Sequence, residues 1–130
     1  MKTLRRFARF NAVGALGIAV QLTGLWVLVD LWGVAYPLAT ALAVALAIVH
    51  NFVWHLRWTW GDRHSDGSTT ALAFVRFAGT NGVISIVGNV AIMLLLVDVT
   101  GAHPLIANAI AIATCGLVNF AMSDLFVFQA

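Results

Sequence analysis

Glutamate is absent from this chain of 130 residues, and the charged types together make up only 9% of it. An ordinary soluble domain is about a quarter charged. A small soluble fold also leaves much of its surface in water, so this scarcity excludes a water-soluble domain, a disordered segment and a nucleic-acid module. The single cysteine, Cys115, excludes a disulfide framework, a zinc site and a redox pair, and reads as a small packing residue. With no glutamate and no aspartate at mid-span depth, a proton-coupled exchanger would lack its buried carboxylate. No grouping of Ser, His and Asp, no glycine-rich loop followed by Lys and no metal-ligand spacing is present, so the expectation is a non-enzyme without cofactor or metal.

What fills the chain is hydrocarbon: 62% of residues are hydrophobic, and they fall in runs. No Asp, Glu, Lys or Arg interrupts the stretches between Arg9 and Asp30, Asp30 and Arg57, Arg76 and Asp98, or Asp98 and Asp124. Each is about twenty residues or longer, and twenty helical residues cross a hydrocarbon layer of about 30 Å. The fold class is therefore an all-α membrane protein with four transmembrane helices, placed at about 11–30, 36–56, 77–97 and 104–123. The first apolar stretch is too long for a cleavable signal peptide and is expected to stay in the membrane. Lys2, Arg5, Arg6 and Arg9 precede the first span, and Arg57, Arg63 and Arg76 surround the middle loop, which puts both termini and that loop in the cytoplasm. Topology alone accounts for Lys2, Arg5 and Arg6.

A shift of 68 positions aligns Gly14 with Gly82, Asp30 with Asp98, Gly33 with Gly101 and Asn51-Phe52 with Asn119-Phe120. The chain reads as one domain of two tandem hairpin repeats of the same orientation, about 7–60 and 75–128, joined by a cytoplasmic loop at about 61–74. Each repeat closes on an aromatic, β-branched, aromatic triplet: Trp58-Thr59-Trp60 and Phe126-Val127-Phe128. Trp58, Trp60, Phe126 and Phe128 are expected at the inner interface, with Trp26, Trp32 and Tyr36 at the outer one. His50 and His55 read as interfacial polar tips, and Ala71 to Phe77 as a segment lying in the interface before the third span.

Polar groups inside the spans mark helix packing or a polar path. Gln21 on the first helix and Asn81, Ser85 and Asn89 on the third recur at helical spacing and form a narrow stripe, read as packing contacts or as the wall of a groove for a polar lipid head. Asn51 and Asn119 lie nearer the inner surface, where a ligand is easier to meet.

Arg9-Phe10-Asn11-Ala12-Val13-Gly14, Asn51-Phe52 followed by Arg57-Trp58-Thr59-Trp60, the second Arg76-Phe77, and Asn119-Phe120 with Phe126-Val127-Phe128 resemble the GtrA-like family over almost the whole chain. The resemblance implies a multi-pass protein of the bacterial cytoplasmic membrane that moves polyprenyl-phosphate-linked sugars to the outer leaflet for cell-surface polysaccharide synthesis. The alternative it implies is an anchor that recruits a polyprenyl-phosphate glycosyltransferase. The implied partners are the lipid-linked sugar, the membrane, and a second copy or a glycosyltransferase, with no nucleic acid. Arg9, Arg57 and Arg76 are the implied lipid-phosphate ligands, since a guanidinium pairs with phosphate through two parallel hydrogen bonds, and Asn51 and Asn119 are their neighbours. Leu56 and Asp124 stand where the family pattern is usually basic.

Overall fold

The computed structural model describes residues 1–63 and 67–128. Every regular element in it is helical. Four helical runs, Lys2–Leu31, Leu38–Thr59, Thr70–Val99 and Ile106–Val127, are long and apolar enough to cross a membrane. The expected middle loop is shorter than the sequence implies, because helix resumes at Gly67; residues 64–66 lie outside the described ones. The chain divides into two compact units, Met1–His64 and Ser65–Ala130.

The first unit is a helical hairpin. Helix α1 (Lys2–Trp26) continues through a π turn at Val27–Leu31, and α2 (Tyr36–Trp54) continues through another at His55–Thr59. Between them Gly33 adopts φ +66°, a left-handed conformation that costs a residue with a Cβ about 1 kcal/mol or more. That conformation lets the Val34 N–H reach back to the Leu28 carbonyl at 2.8 Å, which closes the helix end. Pro37 falls in the first turn of α2, where its missing N–H has no partner to lose. At ~1.5 Å per residue a run such as Lys2–Leu31 is about 45 Å long, so roughly three turns exceed a ~30 Å hydrocarbon layer. The charge pattern assigns that excess to Lys2 through Arg9.

Helices in hydrocarbon associate through close packing rather than through exclusion of water, so small residues at the seam decide how near they come. On α1, Phe10, Val13 and Gly17 are buried at helical spacing; on α2, Ala39, Ala43 and Ala47 are buried. A Cβ at Gly17 would run into the Asn51 carboxamide, and one at Gly24 would rest against Leu46 and Ala43. At the charged end of the hairpin, Phe10 stacks on the His55 ring with centroids 4.7 Å apart, and both meet Trp60 edge-on. His55 is 2% exposed and its Nδ1 lies 3.1 Å from the Thr59 hydroxyl. It is a packed core residue rather than an interfacial tip, because Phe10 covers its face.

The second unit is also a hairpin, built from α3 (Gly67–Val83), a π turn at Ile84–Gly88, the short α4 (Asn89–Met93), a π turn at Leu94–Val99, and α5 (Pro104–Met122) ending in a π turn at Ser123–Val127. Helix α3 runs unbroken through Ala71–Phe77, so that segment is the beginning of the third span and not a separate interfacial piece. Gly101 at φ +73° closes the loop, with the Ala102 N–H bonded to the Leu96 carbonyl at 2.9 Å. A polar seam joins the two legs: Asn81 donates to the Ser123 hydroxyl at 3.4 Å, Asn119 donates to the Ser85 hydroxyl at 3.1 Å, and the Cys115 Sγ lies 3.7 Å from the Ile84 carbonyl oxygen. Interhelical bonds of this kind average about 0.6 kcal/mol in a membrane. Gly88 completes the seam, since a Cβ there would fall 2.7 Å from the Cys115 sulfur.

The second repeat carries one extra residue. The Arg9-Phe10 and Arg76-Phe77 pairs are separated by 67 positions, whereas Gly14 and Gly82, like Asn51-Phe52 and Asn119-Phe120, are separated by 68. The extra residue therefore lies between Phe77 and Gly82, ahead of the π turn at Ile84–Gly88.

If the Gly17–Asn51 contact limits the approach of α1 and α2, Gly17→Ala lowers stability by about 1–3 kcal/mol. Asn51→Ala in the same chain then restores much of the loss, and Gly14→Ala, whose Cβ meets nothing within 4 Å, is neutral. Thermal unfolding in micelles measures the cycle. Simple additivity of the first two substitutions would refute the contact.

Candidate functional site

Lys2, Arg5, Arg6 and Arg9 are spaced i, i+3, i+4 and i+7, which puts all four cations on one face of α1. The end of α2 brings Arg57 to meet them. These five side chains, with Trp58, Gly61 and Asp62, line a cleft of about 350 Å³ at the charged end of the first hairpin. That is the low end of the range for small-ligand sites, the size of a head group rather than of a whole lipid.

Three contacts hold the cleft in shape. Arg9 donates from Nη1 to the Trp58 carbonyl oxygen at 2.8 Å, and its guanidinium carbon lies 5.2 Å from the centre of the Trp58 ring. One guanidinium thereby fixes both the backbone and the ring of the π-turn segment. Arg6 donates to the Asp62 carboxylate at 2.6 Å. Gly61 permits the tight exit from the π turn, because a Cβ there would collide with the Arg57 carbonyl oxygen. Asp62 is the lone acid among the cleft residues. Its carboxyl group lies below the usual value: desolvation, the largest single influence, would raise it, and is outweighed by its own backbone N–H together with Arg6 and Arg63. The Arg6 side chain is 12% exposed and that of Asp62 is 58% exposed, so the pair is mostly a surface interaction worth under about 1 kcal/mol.

The residues singled out from sequence separate into distinct places. Arg9 and Arg57 share the cleft. Asn51 lies deeper along α2, with its Oδ1 3.1 Å from His50 Nδ1 and its carboxamide against Gly17. In the second unit Arg76 donates to the Phe126 carbonyl at 3.4 Å and stands 4.8 Å from that ring. Asn119 is buried in the polar seam with Ser85; its Oδ1 has no hydrogen-bond partner among the described residues. Asn81 and Ser85 lie in the same seam, while Asn89 donates back to the Ser85 carbonyl of its own run at 2.6 Å. Gln21 is half-buried on α1. The aromatic residues divide in pairs: Trp58 and Phe126 are exposed and carry the guanidinium groups, whereas Trp60 and Phe128 are buried, the latter 6.1 Å from Phe77.

Lys2, Arg5 and Arg6 join the cleft although the positive-inside rule accounts for them without it. The signal was their helical spacing with Arg9. Among the described residues no three His, Cys, Asp or Glu side chains gather as a metal site.

Comparison with known proteins bears on the whole chain. The model of the GtrA/DPMS transmembrane domain matches residues 9–128. The chain belongs to that family. It is also 34% identical over 107 residues to a dolichol-phosphate mannosyltransferase of Pyrococcus furiosus, an alignment that takes in 82% of this chain and 29% of that protein. The chain thus spans less than a third of the length of this curated relative. In this GtrA/DPMS domain, the family match begins at Arg9 and takes in Arg57, while Lys2, Arg5 and Arg6 lie just ahead of it.

The cleft's charge balance predicts a measurable response to anions. Asp62→Asn keeps the shape and removes the only negative side chain of the cleft, so retention of pyrophosphate by the protein in nanodiscs rises about threefold at ~10 mM salt and the gain disappears near 1 M. Because the Asp62 pKa is lowered from 3.8, its negative charge persists at every pH above that value and is lost only as pH falls through the lower folded value. Read with sulfate, whose own charge is fixed over that range, the difference between the two proteins therefore stays constant from pH 8 to pH 5.

Proposed function

We propose that this protein works in polyprenyl-phosphate sugar metabolism by translocating a polyprenyl-phosphate-linked sugar across the bacterial cytoplasmic membrane, carrying out no bond chemistry itself. The observation that carries the reading is the five-cation cleft on the protruding turns of the first hairpin, at the level where a lipid phosphate meets water. Membership of the GtrA/DPMS family and the likeness to a dolichol-phosphate mannosyltransferase support a prenyl phosphate as the anion. Arg9 and Arg57 contact the phosphate, with Lys2 and Arg5 adding charge. Arg76, Asn51 and Asn119 support helix packing within their own hairpins.

The topology is part of the proposal: two tandem hairpins of the same orientation, both termini cytoplasmic, with the cleft facing the leaflet in which the lipid-linked sugar is made. The grouping of Lys2, Arg5, Arg6, Arg9 and Arg57 favours that orientation by the positive-inside rule. A two-helix hairpin encloses little room for a sugar, so a homo-oligomer supplies the remaining walls and the prenyl tail stays in lipid.

One observation favours a second reading. The mannosyltransferase relative is a much longer protein, of which the alignment covers 29%. A stretch of that size attached to an enzyme is also what a membrane anchor for a glycosyltransferase looks like, and a separate chain of the same family could recruit such an enzyme without transporting anything.

Reconstitution separates the two. Vesicles holding the purified protein and a labelled polyprenyl-phosphate sugar expose the lipid to an external reagent faster than empty vesicles, and Arg57→Ala or Arg9→Ala slows exposure about tenfold, the effect of losing one charge-assisted hydrogen bond. No acceleration over empty vesicles refutes translocation. Co-purification of a glycosyltransferase that survives Arg57→Ala, together with that null result, establishes the anchor.

A further inference from the structure

The first hairpin has a second concave surface, an almost wholly apolar groove of about 670 Å³. From α1 it is lined by Leu16, Val20, Gly24 and Val27, and from α2 by Leu42 and Leu46. Its position relative to the cleft is fixed by helix geometry. At about 100° per residue, Leu16, Val20, Gly24 and Val27 all lie within roughly 60° of the direction of Arg9 around the α1 axis. Cleft and groove therefore follow one another along a single face of α1, beside the buried Phe10–Val13–Gly17 seam. Leu16 begins about 10 Å beyond Arg9, and the groove continues for about 17 Å to Val27, at ~1.5 Å of rise per residue.

We infer that the groove is a tail site: a single anionic lipid lies lengthwise on the first hairpin, its phosphate in the cleft and the first part of its isoprenoid chain between α1 and α2. This rests on the reading of the cleft as a prenyl-phosphate head site and adds to it where the chain goes. The occupant is decided by continuity and charge. A phosphate held among Lys2, Arg5, Arg9 and Arg57 delivers its own hydrocarbon toward the groove at Leu16 and Val20, on the same face of α1. Gly24 adds no side chain to the floor of the groove, where a methyl would make ordinary contact with Leu46 at 3.4 Å. A branched chain fills such a groove by dispersion contacts that a tail free in the bilayer also makes, so binding depends on the head and the tail site supplies register rather than most of the affinity.

The test uses the full chain in nanodiscs, a radiolabelled prenyl phosphate, and a photoreactive p-benzoylphenylalanine placed either at Ala19, in the groove lining, or at Ile18, which is 63% exposed and points to the opposite side of α1. Position 19 is expected to capture the prenyl phosphate, to be protected by unlabelled prenyl phosphate but not by the phosphate-free polyprenol, and to lose about tenfold in Arg57→Ala. Position 18 labels with both lipids alike and ignores Arg57→Ala. Should position 19 behave like position 18 while the protein still retains prenyl phosphate in preference to polyprenol, the tail site is wrong and the cleft reading stands. Loss of that preference in the unsubstituted protein overturns the head site and this inference with it.

Discussion

Within hydrocarbon, no water waits to be expelled from between two apolar helices, so the hairpins depend on how closely their backbones can approach. In the first unit the limit is set where Gly17 faces the Asn51 carboxamide, and in the second where Gly88 faces the Cys115 sulfur. Each is a small residue against a polar or polarisable one. The backbones thereby come near enough for dispersion to act over many atoms, and in the second hairpin the Cys115 thiol reaches the Ile84 carbonyl, a partner it could not find in lipid. The rest of each hairpin follows from that approach. The glycine turns at Gly33 and Gly101 are tight because the legs they join are close, and the rings beyond the seam, Phe10 with His55 and Trp60 or Phe77 with Phe128, stack because the helix ends are held at that spacing.

A guanidinium finishes each hairpin in the same chemical way. Arg9 caps the carbonyl of Trp58 and lies over its ring; Arg76 does so with Phe126. Residues in π turns leave carbonyl groups imperfectly bonded within their own helix, and an arginine from the neighbouring leg is a suitable donor because its planar fork can bond a carbonyl and cover a ring together. An arginine before a Phe at the start of one helix and an aromatic triplet at the end of the next therefore has a structural cause, independent of any ligand. That cause accounts for Arg9 and Arg76. It leaves Lys2, Arg5 and Arg57 without a structural task of the same kind.

The spans were readable because charge is so scarce that its gaps are themselves the signal, and the hairpin turns because Gly33 and Gly101 fall beside Asp30 and Asp98. Two things were not. The π turns leave almost no trace in residue type, since they depend on one extra residue being accommodated in an otherwise continuous helix. The burial of His55, Trp60 and Phe128 was missed because an aromatic residue near a span end has the same composition whether it faces head groups or its neighbour, and the decision belongs to Phe10 and Phe77, far away in sequence. For the cleft, the sequence held enough. Four cations at helical spacing form a face, but a rule that already demands positive charge at that end hides the geometry.

The two hairpins share their seam, turn and arginine clasp, yet differ in charge. All of Lys2, Arg5, Arg6, Arg9 and Arg57 belong to the first unit, whereas Arg76 is the sole Lys or Arg from position 65 onward, and it is committed to Phe126. Asp124 stands at the place in the second unit that Leu56 holds in the first. A phosphate brought to the second hairpin would thus meet one occupied guanidinium and a carboxylate, while at the first it meets several cations and a single carboxylate already turned toward Arg6. The polar seam of Asn81, Ser85, Asn119 and Ser123 has the opposite distribution, with neutral groups that bond one another in the second unit where the first has Val13, Gly17 and His55. The first hairpin carries the positive charge, and the second is tied together by neutral hydrogen bonds.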